Sequence, residues 1–358
     1  MADPDQSHAP NSAISTRPAT NRACGAAILA ARPRRWLVRW ALLLLGLLLL
    51  TFAAVTFRQA WAMTHYRPAT ARTTKLAALS TWGKAGALLT GPIIRRQLNT
   101  RDPGHFGMPF ETLRFPGAHG LKIEAWRIAG KAGAPSVLMF PGYGASKDTL
   151  FHAAREFAAL GCEIWMVDPH GIGGSEGSIT SVGYHETDDV AAAFQEARKL
   201  DPARKIILYG TSMGAVAILR AVHTGVAAPD ALILECPFDR FTNTIGVRFS
   251  LLGLPRFPFA EAVAFWVGAQ QGFNGLAHNP ATYARSVRCP TLLLQGALDE
   301  SVGPAFVRNV AQNLGPAATF VLIPDAGHAF LARYSPEVWR KSVHAFVSEK
   351  FSLPLSET

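Results

Sequence analysis

The stretch KIILYGTSMGAVAILRAV, residues 205–222, contains two kinds of periodicity joined by a glycine-flanked serine. Ile206 to Tyr209 is a short, unbroken apolar run, which predicts a strand buried on both faces. From Met213 to His223 apolar residues recur at helical spacing, which predicts a helix beginning at once. Gly210-Thr211-Ser212-Met213-Gly214 must then be the strand-to-helix turn. Small residues flank Ser212 because its backbone is strained there and the helix follows without a spacer; the turn lifts Oγ above the sheet edge. The helix also directs its first N–H groups toward that point.

Outward from this unit the alternation repeats. FETLRFPG and LKIEAWRIAG read as a hairpin across Ala118-His119-Gly120, and SVLMF, EIWMVD, ALILE, TLLLQG and TFVLI are further short apolar runs. Helix-period segments separate most of them, at Asp148 to Leu160, Tyr184 to Leu200, Pro304 to Leu314 and Pro336 to Phe351. The predicted class is α/β: a mostly parallel sheet with helices on both faces after an antiparallel start. The return from ALILE to TLLLQG is far longer than an ordinary crossover and is rich in Phe, Leu and Trp. It predicts a helical cap, residues 239–285, over the C-terminal edge of the sheet, where sites in open α/β sheets gather.

The N-terminal region differs in kind. Residues 1–35, rich in Ala, Ser, Pro, Asn and Thr, predict a disordered tail. Residues 36–57 end in the uncharged run WALLLLGLLLLTFAAVTF and predict a transmembrane anchor, since about 20 apolar residues cross a hydrocarbon core of about 30 Å. Ala60-Trp61-Ala62 resembles a signal-peptidase site, but the apolar segment is longer than signal peptides use, which favours a retained anchor. Arg17, Arg22, Arg32, Arg34, Arg35 and Arg39 precede the run, against Arg58, Arg67, Arg72 and Lys75 after it, so the tail is expected in the cytoplasm and the main domain outside it. Residues 58–104 give no fold signal and are read as a juxtamembrane linker; residues 105–352 form the main domain. The net charge of +10 over 358 residues is concentrated before residue 76, and no basic stripe follows, which argues against nucleic acid. Cys24, Cys162, Cys236 and Cys289 lack paired spacing, so no metal centre is expected, and Cys162, Cys236 and Cys289, each beside an apolar run, read as small buried hydrophobes.

A serine needs a base to attack, and the base needs an orienting carboxylate. His328, in PDAGHAF, and Asp299, in GALDES, each follow a predicted strand, on the same edge as Ser212. His152, His185, His223 and His344 fall on predicted helices. Glu300 is one position off, Asp325 lies too close in sequence to His328, and Asp239 after ALILE is the rival acid. An oxyanion needs two fixed N–H donors, expected from Met213, next to the nucleophile, and from Tyr143 in Pro141-Gly142-Tyr143-Gly144.

FPGYGASK, VDPHGIGGSEGS followed by GYHETDDV, GTSMG, CPTLLLQGALD and DAGH together resemble the α/β-hydrolase superfamily, in its branch of esterases, lysophospholipases and monoglyceride-lipase-like enzymes. The likeness runs from about Phe110 to Phe351. It implies an α/β-hydrolase fold with an eight-stranded sheet, the triad Ser212, His328 and Asp299, an oxyanion hole and no cofactor. Phe140-Pro141-Gly142 departs from the relatives' His-Gly, and Pro169-His170-Gly171 from their Arg-Gly. The expected substrate is an apolar small-molecule acyl ester, with the membrane as the partner of the N-terminal helix. An acyltransferase with the same triad, and a tethered binding protein of the same fold, are the alternatives.

Overall fold

The computed structural model describes residues 24–74, 78–328 and 330–353, with side chains from residue 35 onward. Eight strands form one sheet: β1 (Glu111–Pro116), β2 (Lys122–Ile128), β3 (Ser136–Phe140), β4 (Glu163–Val167), β5 (Ile206–Thr211), β6 (Ala231–Glu235), β7 (Thr291–Gly296) and β8 (Ala318–Ile323). Their order is β1-β2-β4-β3-β5-β6-β7-β8. The β1–β2 and β2–β4 pairs are antiparallel and the others parallel. This is the α/β-hydrolase fold expected from the sequence.

The helices are α1 (Cys24–Thr64), α2 (Thr81–Thr90), α3 (Phe151–Ala159), α4 (Glu186–Leu200), α5 (Met213–His223), α6 (Phe241–Leu251), α7 (Phe259–Gln271), α8 (Pro280–Ala284), α9 (Pro304–Leu314), α10 (Leu331–Tyr334) and α11 (Pro336–Phe351). Because side chains alternate across a strand, each central strand feeds both covering layers. Leu138, Leu208, Leu232 and Leu293 pack with Val190 of α4, Val216 of α5 and Val307 of α9. Their neighbours Val137, Ile207, Ile233 and Leu292 pack with Phe157 of α3 and Trp339 and Val343 of α11. The runs are apolar throughout because neither face meets water. Between β6 and β7, α6, α7 and α8 form the insertion, with Phe249 and Phe259 stacked at 5.1 Å.

Two features differ from the sequence reading. The tail expected to be disordered lies mostly outside the described residues, but from Cys24 onward the backbone is helical, as the Ala-rich run CGAAILAAR allows. The described part of 58–104, expected as a juxtamembrane linker able to pack on the domain, includes α2 and the end of α1. The chain divides into two compact units at Phe52/Ala53, and the second unit includes the end of α1. There Ala60, Ala62 and Met63 are buried, Phe57 meets Trp266 edge-on at 5.4 Å, and Gln59 donates to the Ala87 carbonyl at 2.8 Å. In the first unit the leucines from Leu42 to Leu50 are all exposed. Arg35–Thr64 is the stretch of the described residues long and apolar enough to cross a membrane.

Candidate active site

Ser212 sits between β5 and α5 with φ 50° and ψ −112°, a left-handed region that a β-carbon disfavours. The surroundings hold it there. Its N–H donates to the Glu235 carbonyl at 2.7 Å, at the end of β6. A β-carbon on Gly210 would lie 2.6 Å from the Ala215 nitrogen, and one on Gly214 2.3 Å from the Phe140 carbonyl. Only glycine lets α5 start this close to β3 and β5.

The sheet brings three of the sequence-derived residues together. Ser212 Oγ lies 3.1 Å from His328 Nε2, and His328 Nδ1 lies 2.7 Å from Asp299 Oδ2. Asp299, after β7, is buried; its Oδ2 also accepts from the Gln295 amide at 3.1 Å, and Oδ1 from the Ser301 and Val302 N–H groups at 2.9 and 2.8 Å. Burial alone would raise this carboxyl, but the His328 hydrogen bond and charge, helped by Val302 and Gln295, hold it below the usual carboxylate range. A hydroxyl bonded to an imidazole, whose other nitrogen is fixed by a carboxylate, can lose its proton as it attacks a carbonyl. The Cys236 sulfur lies within 4.8 Å of these Asp299 and His328 atoms. The Asp299 oxygens are already filled by four donors, so the cluster fits a hydrogen-bonded relay better than a metal site.

Asp239, the rival acid, is engaged elsewhere. It accepts from Asn243 at 2.7 Å, from its neighbour Arg240 N–H at 2.7 Å and from Asn309 at 3.0 Å. Glu300 is exposed. The Pro141–Gly144 loop after β3 runs against Ser212, since a β-carbon on Gly142 would lie 3.4 Å from Ser212 Cβ. Among the described residues, neither the Met213 nor the Tyr143 N–H meets an acceptor in the protein.

A cavity of about 480 Å³ opens over Ser212 and His328. Its wall includes Gly142, Tyr143, Val182, Met213, Phe238, Val247, Arg248 and Leu251. Of the cap's apolar residues, Val247 and Leu251 line it; Phe241 and Phe249 are buried in the core, and Phe257 and Phe265 face outward. Most of the cap's apolar surface therefore fastens the cap.

Sequence reasoning missed Met63. It lines the cavity from the end of α1, and its carbonyl accepts from the Tyr143 hydroxyl. The available signal was the spacing of Ala60 and Met63 three residues apart beyond the apolar run. It also left His170 unexplained. His170 Nδ1 lies 2.6 Å from Asp189, with Glu186 at 3.8 Å. Burial lowers its pKa, but the two carboxylates outweigh burial and push it up to about 9. A buried cation thus stands where the resemblance has arginine. Glu186 in turn accepts from Thr180, whose hydroxyl lies 3.6 Å from the Met213 sulfur, so the network braces the turn around Ser212.

The serine aminopeptidase S33 family model matches residues 133–281, and a Pyrococcus furiosus esterase, Pf2001, superposes with a TM-score of 0.59 at 21% identity, covering 71% of this chain and 96% of its own. The chain has the α/β-hydrolase fold. It is also similar to the Bacillus subtilis protein YqkD, 23% identical over 65% of this chain and 77% of the relative. The Saccharomyces cerevisiae membrane protein YNL320W is 26% identical over 58% of this chain and 69% of its own.

Proposed function

We propose that this α/β-hydrolase is a membrane-anchored serine hydrolase that cleaves apolar acyl esters through an acyl-serine intermediate. The observation that carries the reading is the relay Ser212 Oγ to His328 Nε2 at 3.1 Å and His328 Nδ1 to Asp299 at 2.7 Å, at a strained turn opening into a cavity. Ser212 Oγ attacks the ester carbonyl carbon while His328 Nε2 takes its proton. The Met213 and Tyr143 N–H groups stabilise the oxyanion, and collapse releases the alcohol, which carries away the proton from His328. Water then repeats the sequence on the acyl-enzyme and frees the acid. The largely apolar lining favours an acyl chain over sugars, and the exposed leucines of α1 favour a tether in lipid. With the arginine excess before α1's apolar run, the catalytic domain faces away from the cytoplasm.

A fluorophosphonate probe tests the chemistry. Wild type is labelled and Ser212→Ala is not; absence of labelling on folded wild type sinks the reading. A 4-nitrophenyl ester series from acetyl to dodecanoyl tests the cavity, with kcat/KM expected to rise toward medium chains by up to a few-fold per buried CH₂. Protease added to intact cells should reach the C-terminal domain; full protection there, with cleavage after lysis, would reverse the orientation.

A further inference from the structure

Two buried polar atoms on residues lining the cavity have no hydrogen-bond partner within the protein. Arg248 and Thr244 lie four residues apart on α6, one turn of the same face, and both line the cavity. Arg248 Nη1 and Thr244 Oγ1 are buried and make no hydrogen bond within the protein. Unpartnered buried groups are uncommon, because each forfeits its hydration without return. Two on one helix face, opening into one cavity, mark a site shaped around something else. No aspartate or glutamate is among the described residues lining the cavity, so the guanidinium has no counter-charge there.

A purely structural role accounts for only part of this. Arg248 lies over the Tyr143 ring at 5.4 Å and hydrogen-bonds the Tyr143 side chain, which fixes the guanidinium plane while leaving Nη1 without a partner. Elsewhere in the cap Arg256 is tied to Asn243, as a structural arginine is expected to be. Arg248 is held against Tyr143 while its Nη1 is left without a partner, an arrangement able to bind an oxyanion. Met63, Val182, Phe238, Val247 and Leu251 add apolar side chains to the same wall.

We propose that the cavity takes amphiphilic esters with one anionic group, a carboxylate or a phosphate, bound by the Arg248 guanidinium and the Thr244 hydroxyl. The inference rests on the serine-hydrolase reading for the position of the ester carbonyl. The anion-binding groups themselves do not depend on it.

The full-length protein is assayed with mono-4-nitrophenyl adipate and its neutral counterpart methyl 4-nitrophenyl adipate, and with a lysophosphatidic acid and the monoacylglycerol of the same chain. The charged-to-neutral ratio of kcat/KM should fall by roughly 10- to 100-fold in Arg248→Gln and less in Arg248→Lys, since a charge-assisted hydrogen bond to a desolvated partner is lost. A fall in the adipate pair assigns a carboxylate, and one in the lipid pair a phosphate. A ratio unchanged in both pairs overturns the proposal, because an arginine acting on every ester alike, through Tyr143, lowers both members equally. Binding of the same compounds to Ser212→Ala keeps the two readings apart. A preference in Kd for the charged compound that disappears with Arg248→Gln supports the anion site even if wild type hydrolyses nothing, whereas equal Kd values with normal hydrolysis refute the site and spare the hydrolase. Thermal melting of each variant confirms that it is folded.

Discussion

Asp299→Asn replaces one oxygen by NH₂ and changes little else in shape, yet the surroundings leave the new group no good orientation. Oδ1 faces two backbone donors, Ser301 N–H at 2.9 Å and Val302 N–H at 2.8 Å. An amide nitrogen placed there would meet both, so the asparagine oxygen must stay on that side. The amide nitrogen then points at His328 Nδ1, 2.7 Å away in the wild type, and at the Gln295 amide. Gln295 resists turning over, because its nitrogen also donates to the Gly296 and Val302 carbonyls, each at 3.0 Å. The remaining adjustment is in His328: Nδ1 becomes an acceptor, the proton moves to Nε2, and Nε2 can no longer take the Ser212 proton. Loss of the correct tautomer in a triad reaches about 10⁴ in rate, or about 5 kcal/mol. kcat/KM on 4-nitrophenyl butyrate should therefore fall by about three to four orders of magnitude, with the melting temperature within a few degrees of wild type. Asp239→Asn, whose partners are Asn243, Arg240 and Asn309, should stay within about threefold. If Asp299→Asn keeps activity within tenfold while Asp239→Asn loses it, the argument from donors is wrong.

Three further outcomes follow from the same contacts. Tyr143→Phe removes the donor to the Met63 carbonyl and loosens the loop bearing the second oxyanion donor; kcat should drop by about 5- to 30-fold with KM little changed, and an unaltered kcat would refute the coupling. Deleting residues 1–52 spares the second compact unit and should leave soluble activity within about threefold of full length, whereas deleting 1–66 removes Met63 and the buried Tyr66 and should cost at least about tenfold; equal activity of the two truncations would contradict a role for the end of α1. His170 has a folded-state pKa of about 9, above its unfolded value, so its contribution is fully present below about pH 6.5 and is lost as pH rises through about 9. The stability gap between wild type and His170→Gln, up to about 3 kcal/mol in denaturant titrations, should close across that window; a gap that widens with pH would reverse the assignment.

What was legible in the sequence, and what was not, divides along a physical line. The central strands read as strands because burial on both faces leaves an unbroken apolar run of four or five residues, too short for a helix. Ser212, Asp299 and His328 could each be singled out because a side chain at the end of a parallel strand arrives at one edge, whatever lies between them in sequence. Tyr143 and Met213 are proposed to act through backbone N–H groups, so only the glycine and serine motifs around them carry the information. The Met63 carbonyl has no such motif, and a backbone acceptor at a helix end could be any residue. Arg248 is visible as a cation in an apolar cap, but its use depends on which way one helix face turns, and α6 is apolar on several faces.

The end of α1 raises the hardest ambiguity, since an apolar helix reads the same whether lipid or protein will cover it. Exposure separates the two cases. Leu42 to Leu50 are exposed, as the proposed tether in lipid requires, whereas Ala60, Ala62, Met63 and Thr64 are buried. Ala62 approaches α2 so closely that a β-carbon on Gly91 would lie 2.3 Å from its own. The Ala60-Trp61-Ala62 pattern, which resembles a peptidase site, is thus accounted for by packing. Small residues at 60 and 62 let the helix seat against the domain, and that seating delivers Met63 to the cavity and its carbonyl to Tyr143. A helix cut after Ala62 would lose the turn that aims Met63 into the cavity.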